Sequence, residues 1–223
     1  MNGSTVGSRR FAGLFSRTAV AGAIGAGLML GASTAFAQIV HSGVVSLAIP
    51  VSTNGLYLNV VTGANNLPPP GTGGSTVPGW DINLWSTGGL GFFNAASPAG
   101  GVYVISGAGT VGNLALGSTI DGSSSFGAGT STNVAQWNLN SANNLFGFRF
   151  VNEANGNSLH YGWGRISLGA TANDPSRLLV EYAFDATPGA AIQAGVIPEP
   201  GTFALLGLGV AGVLLAARRR RET

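Results

Sequence analysis

Phe146, Phe148 and Phe150 alternate with Gly147, Arg149 and Val151, and a period of two marks an extended strand. Leu159, Tyr161 and Trp163 then alternate with His160, Gly162 and Gly164 in the same way. Between these runs, Glu153-Ala154-Asn155-Gly156 reads as a turn, because Asn-Gly accepts positive φ at low cost. A four-residue loop places Phe150 opposite Leu159, Phe148 opposite Tyr161 and Phe146 opposite Trp163. That register gathers every large apolar side chain on one face. A following run offers Leu178, Val180, Tyr182 and Phe184 to the same core.

The rest of the central region repeats this theme in shorter pieces. Candidate strands at 44–49, 56–61, 80–85, 102–105, 134–139, 145–151, 159–168 and 178–184 are separated by Gly, Asn, Ser and Pro clusters. Residues 67–78 and 118–132 read as loops, the first rich in proline and glycine, the second in serine and glycine. No internal repeat of fixed period is present. The 37 glycines follow no Gly-X-Y period, so a collagen helix is excluded. The expectation is an all-β fold: an antiparallel β-sandwich or jelly-roll-like ectodomain over 38–185, followed by a linker at 186–196.

Charge is scarce and segregated. All 10 basic residues are arginines, and most lie at the ends: Arg9, Arg10 and Arg17, then Arg218, Arg219, Arg220 and Arg221. In between, Arg149, Arg165 and Arg177 face Asp81, Asp121, Glu153, Asp174, Glu181 and Asp185, leaving the middle net negative. Nucleic acid is therefore not an expected partner. The chain has no cysteine, which excludes disulfides, thiolate metal sites and thiol nucleophiles.

Both ends read as addresses. Residues 1–37 have the parts of a signal peptide: a basic start, an uncharged run at 18–31, and small residues at Ala35 and Ala37 that place cleavage before Gln38. Signal peptidase and the export translocon are the implied partners. Ser8-Arg9-Arg10-Phe11 leaves both general and twin-arginine export open. At the other end, Pro198-Glu199-Pro200 precedes an uncharged stretch at 201–217, and Arg218 to Arg221 follow at once. Seventeen residues of helix span about 25 Å, the lower limit for crossing a bilayer, and the arginines belong on the cytoplasmic side.

Pro-Glu-Pro, a short apolar helix and a terminal arginine cluster, behind a signal peptide, resemble the PEP-CTERM sorting signal of Gram-negative bacteria. The resemblance covers 197–221. It implies that Pro198, Glu199 and Pro200 are the recognition motif and that Arg218, Arg219, Arg220 and Arg221 stop transfer. It also implies processing by an exosortase, an intramembrane transpeptidase, followed by release or transfer to the cell surface. The precursor would sit transiently in the inner membrane with its C-terminus cytoplasmic. Genes of this family often lie among those for exopolysaccharide. Gly147-Phe148-Arg149-Phe150, Tyr161-Gly162-Trp163-Gly164-Arg165 and Glu181-Tyr182-Ala183-Phe184-Asp185 also resemble the C-terminal part of many exported PEP-CTERM proteins, a resemblance that brings no catalytic residue.

Motifs that carry chemistry are weak by comparison. The residues at 107–112 spell GxGxxG after a candidate strand, but Gly117-Ser118-Thr119 ends any helix that would seat a dinucleotide, so no cofactor is expected. His41 and His160 are far apart in sequence, and Asp81, Asp121 and Asp174 follow no calcium-loop spacing, so no metal site is assigned. Asp121-Gly122 and Asp174-Pro175 read as turn aspartates. A hydrolase would need two carboxyls within about 5–9.5 Å across a cleft, and no Gly-x-Ser-x-Gly elbow exists. The chain is read as a non-enzyme, structural or adhesive in the cell surface or the exopolysaccharide matrix of a biofilm. The alternative is a lectin-like module, with Arg149 and His160 beside the hairpin glycines and Trp80, Trp85 or Trp137 as stacking platform.

Overall fold

The computed structural model describes residues 38–197, apart from 53, 73, 108 and 128–133. In chain order the strands are β1 (Ile39–His41), β2 (Leu47–Ala48), β3 (Leu56–Leu58), β4 (Asn65–Asn66), β5 (Ile82–Trp85), β6 (Gly91–Asn94), β7 (Tyr103–Val104), β8 (Thr119–Ile120), β9 (Phe126–Gly127), β10 (Ser141–Asn152), β11 (Ser158–Leu168), β12 (Leu178–Asp185) and β13 (Ile192–Gln193). Single 3-10 turns form at Val134–Gln136 and Glu153–Asn155, and no α-helix forms among the described residues. The largest sheet runs β1-β12-β11-β10-β7-β9, with β2 also on β12; a second runs β4-β3-β5-β6; β8 pairs with β13. Every pairing is antiparallel.

The two larger sheets share one core. Phe146, Phe148 and Phe150 of β10, Ile166 and Leu168 of β11, and Leu179, Tyr182 and Phe184 of β12 are clustered with Leu56, Leu58, Ile82, Leu84 and Phe92 of the second sheet. Tyr103 of β7 stitches the layers together. Its hydroxyl accepts from the Asn83 amide at 2.8 Å and reaches the carbonyls of Phe93 at 3.1 Å and Asn83 at 3.2 Å. Burial pushes that phenol's pKa up, so it remains a donor.

The hairpin register differs by one residue from the sequence expectation. Phe150 opposes His160, Phe148 opposes Gly162 and Phe146 opposes Gly164, while Arg149 opposes Tyr161 and Gly147 opposes Trp163. The turn between Asn152 and Ser158 therefore holds 153–157 rather than four residues. Gly156 and Asn157 take its positive φ values, 64° and 57°. The phenylalanines face the main core; Tyr161 and Trp163 face the other way, where Ile120, Leu145, Ala183, Ile192 and Ala194 enclose them. The one-face rule fails because both faces of this sheet are covered, so alternation no longer separates core from solvent.

Three further expectations change. Residues 134–139 contain a 3-10 turn instead of a strand, and it carries Trp137 into the core at 5% exposure. The loop expected at 118–132 includes β8 and β9. The stretch expected as a linker at 186–196 is part of the folded body: Ile192 pairs with Ile120, Ala194 donates to Ser118 O at 2.9 Å, and Gly117 donates to Ala194 O at 2.9 Å.

Arg177 closes one end of the core without a carboxylate. It is 0% exposed, and its guanidinium donates to the carbonyls of Ile49 at 3.0 Å, Ala172 and Ser86 at 2.8 Å, and of Gly89 and Pro50. Burial pushes its pKa down to about 10, so it stays charged at neutral pH.

Candidate functional site

The second sheet turns one face to the core and the other outward. Tyr57, Asn83 and Phe93 are directly opposed across β3, β5 and β6, and Asn66 of β4 opposes Tyr57 from the far side. Direct opposition puts all four on one face, the reverse of Leu84 and Phe92. Trp80 folds onto this face from just before β5. Its ring meets Tyr57 edge-on at 4.9 Å between centroids and lies 6.3 Å from Phe93 with the planes inclined by 23°. Trp85, two residues beyond Asn83, shares the face by alternation.

This aromatic face is partly open. Tyr57 is buried, Trp80 and Trp85 are half-buried, and Phe93 is 50% exposed. The proline-rich loop expected at 67–78 borders it. Asn54 Nδ2 donates to the carbonyls of Pro69 and, at 3.1 Å, Thr72, while Asn66 Nδ2 donates to Thr76 Oγ1 at 2.7 Å. None of the four strands contains a charged residue.

A cleft of about 370 Å³ is bordered by Pro78 and Gly79, just before Trp80, and lined by Asn59, Val61, Thr62, Asn152 and Glu153 among others. Asn59 organises its rim: Nδ2 donates to Gly79 O at 2.7 Å, and Oδ1 accepts from the Thr62 amide at 2.9 Å. Asp81 is 4% exposed, and its Oδ2 accepts from the Val60 amide at 2.8 Å. Burial raises its pKa to about 7 against the pull of that amide, and the Glu153 charge adds to the rise. Glu153 is exposed at the cleft, but Asp81 is not among the residues that line it.

The proposed glycan contacts do not converge. Trp80 and Trp85 are on the aromatic face; Trp137 is buried and stacks on Phe92 at 5.7 Å. His160 is 0% exposed on the core side of β11, stacked on Phe150 at 5.4 Å. Arg149 is on the opposite side of the sheet, its guanidinium 4.4 Å from the Phe126 ring centroid and hydrogen-bonded to Gly101 O at 2.8 Å and Ala99 O at 3.0 Å. Gly162 and Gly164, expected on Arg149's face, are on the face of His160 instead, beneath the phenylalanines.

Two polar clusters have the look of chemistry and serve the fold. Ser158 Oγ is 2.9 Å from His160 Nε2, and His160 Nδ1 is 2.8 Å from Asp185 O. The third member is a backbone carbonyl, which fixes the proton on Nδ1; the Asp185 carboxylate instead accepts from the Thr187 amide at 2.8 Å. On β12, Glu181 accepts from Arg165 Nε at 2.6 Å and contacts His41 Nε2 at 3.0 Å. Burial works against the Glu181 charge, but the hydrogen bonds from Arg165 and His41 outweigh it and hold the carboxyl below its usual range. Asp121 and Asp174 accept from Ser123 N at 2.8 Å and Ser176 N at 2.9 Å, as turn aspartates do.

Sequence reasoning named Trp80 but missed Phe93 and Tyr57. The signal was the pair Phe92-Phe93, since adjacent aromatics in one strand must face opposite ways. The expected sorting residues Pro198, Glu199, Pro200 and Arg218 to Arg221, and the cleavage residues Ala35 and Ala37, lie outside the described residues. Gln38 is described, exposed, and accepts from the Ala186 amide at 2.8 Å. No helix among the described residues is long and apolar enough to cross a membrane, and 201–217 lies outside them.

Residues 196–221 match the family model of the PEP-CTERM protein-sorting motif. No curated protein matches the chain, and neither does any solved structure. The chain thus carries a PEP-CTERM sorting motif, and the motif implies an exported protein that an exosortase sorts.

Proposed function

We propose that the protein is a structural or adhesive component of the cell surface or extracellular polysaccharide matrix. The sorting motif at 196–221 is the observation that carries this reading, because it addresses the folded body to the outside. In this reading a signal peptide over 1–37 is removed before Gln38. The two-sheet body is a β-sandwich ectodomain, and 201–217 holds the precursor in the inner membrane until exosortase acts. The body's role is binding rather than catalysis: Glu153 lines the cleft while Asp81 is buried and does not, and His160 is turned into the core. A lectin-like activity is the second reading, favoured by the open rings of Trp80 and Phe93.

The test is intact mass and fractionation from the native host, with and without its exosortase. A species beginning at Gln38, lacking the residues after the Pro-Glu-Pro stem and found outside the inner membrane only when exosortase is present, is the expected result. An uncleaved C-terminus held in the inner membrane in both strains would refute it.

A further inference from the structure

We propose that the outer face of the β4-β3-β5-β6 sheet binds a neutral polysaccharide, stacking sugar rings on Trp80 and Phe93. The inference rests on the matrix reading above and gives it a site. A pyranose ring has an apolar C–H face and a rim of hydroxyls, so it suits an aromatic surface bordered by neutral hydrogen-bonding groups. Trp80 and Phe93 supply two rings 6.3 Å apart and inclined by 23°. Tyr57, edge-on beneath Trp80, fixes the indole in place. The bordering loop supplies polar groups: Thr76 Oγ1 accepts from Asn66, which leaves its own proton for a ligand oxygen.

Charge selects the class of polymer. From Ser42 to Phe148 the only charged residues are Asp81, which is 4% exposed, and Asp121. A uronate or sulfated chain would find no cation on these strands or their bordering loop. Area argues against a protein partner. A stable protein interface takes about 800 Å² from each side, whereas the large hydrophobics well exposed here are Phe93 at 50% and Leu67 at 46%. Rings with hydroxyls at their edges hold a thin, flat, uncharged chain.

The experiment is affinity electrophoresis of the mature protein recovered from the host surface, or of the detergent-solubilised full chain if it stays in the membrane. Gels contain hydroxyethylcellulose, galactomannan, dextran or, as the anionic comparison, alginate. Retardation by at least one neutral polymer and not by alginate is expected, weakened at least tenfold in Trp80→Ala and in Phe93→Ala. Phe93 is half exposed, so its variant keeps the fold even if Trp80→Ala does not; Leu139→Ala, 38% exposed outside this sheet, keeps full retardation. No retardation by any neutral polymer, equal retardation in Phe93→Ala, or preference for alginate would overturn the proposal. So would sedimentation showing a dimer that Phe93→Ala dissociates. Sorting is read by fractionation and binding by mobility, so each can fail alone.

Discussion

Phe148 lies over Gly162, its directly opposed partner on β11, so closely that a methyl on the glycine would enter the ring. It would also sit 2.7 Å from Ala183 O on the next strand, so the backbone cannot yield. Gly164 stands in the same relation to Phe146. Each glycine weakens its strand locally, and the aromatic ring restores the lost packing from across the ladder.

Gly162→Ala is therefore expected to destabilise the protein by about 1–3 kcal/mol, the usual range for overpacking a tight core. Gly88→Ala, with open space around it, is the comparison expected to change little. Urea denaturation of both variants gives the answer; equal midpoints would mean that the hairpin register is not the one described.

Arg177 is the point where several loops depend on one side chain. Arg177→Met leaves the five carbonyls it serves without their donor, with an expected loss on the order of 3–5 kcal/mol. Arg177→Lys keeps the charge but not the planar fork, and should recover only part of the loss. Chemical denaturation checks both, and a loss under about 1 kcal/mol for the methionine variant would mean that water replaces the guanidinium.

Asp81 makes stability depend on pH in one direction. Its ordinary pKa of 3.8 rises to about 7 in the folded protein, so the folded state holds this proton more tightly than the unfolded one. Its contribution is most favourable below about pH 4 and is lost as pH rises toward 7. Asp81→Asn keeps an acceptor for the Val60 amide without the titration. Thermal midpoints from pH 4 to 8 should show the variant gaining on the wild type across that window and exceeding it at pH 8. Parallel curves would count against a buried, titrating Asp81.

Glu181 acts with the opposite sign and in a more acidic range. Its folded pKa lies below 4.5, so its contribution is intact above that value and disappears as pH falls through the lowered one. Glu181→Gln is expected to cost about 1 kcal/mol at neutral pH, the upper range for a partly exposed pair. The difference should shrink as pH falls below 4.5. His41 is an end residue of β1, so hydrogen exchange should also show that strand fraying first in the variant.

The long strands were legible because they carry enough residues to show a period; β10 has 12 and β11 has 11. Their register was not, because the alternation argument assumes one wet face, and here β8 and β13 cover it. The glycines opposite the phenylalanines were the available signal. Two-residue strands such as β4 and β9 have no period to read. Ala135, Trp137 and Leu139 imitate a strand by alternating with Gln136 and Asn138, yet Val134–Gln136 form a 3-10 turn. Trp80 could be named as a platform from its type alone, but its partners depend on which of Phe92 and Phe93 turns outward. The sorting motif was readable because it is a linear address that needs no fold to be recognised.

The seam formed by β8 and β13 has a geometric consequence for display. Ala194 is 0% exposed and Val196 still donates to Gln193 O at 3.2 Å, so the body is closed almost to Pro198. At no more than about 3.6 Å per residue, the Pro-Glu-Pro triplet begins within roughly 10 Å of the folded surface. The end of the body from which that triplet leaves is thus set by the pairing of Ile192 with Ile120.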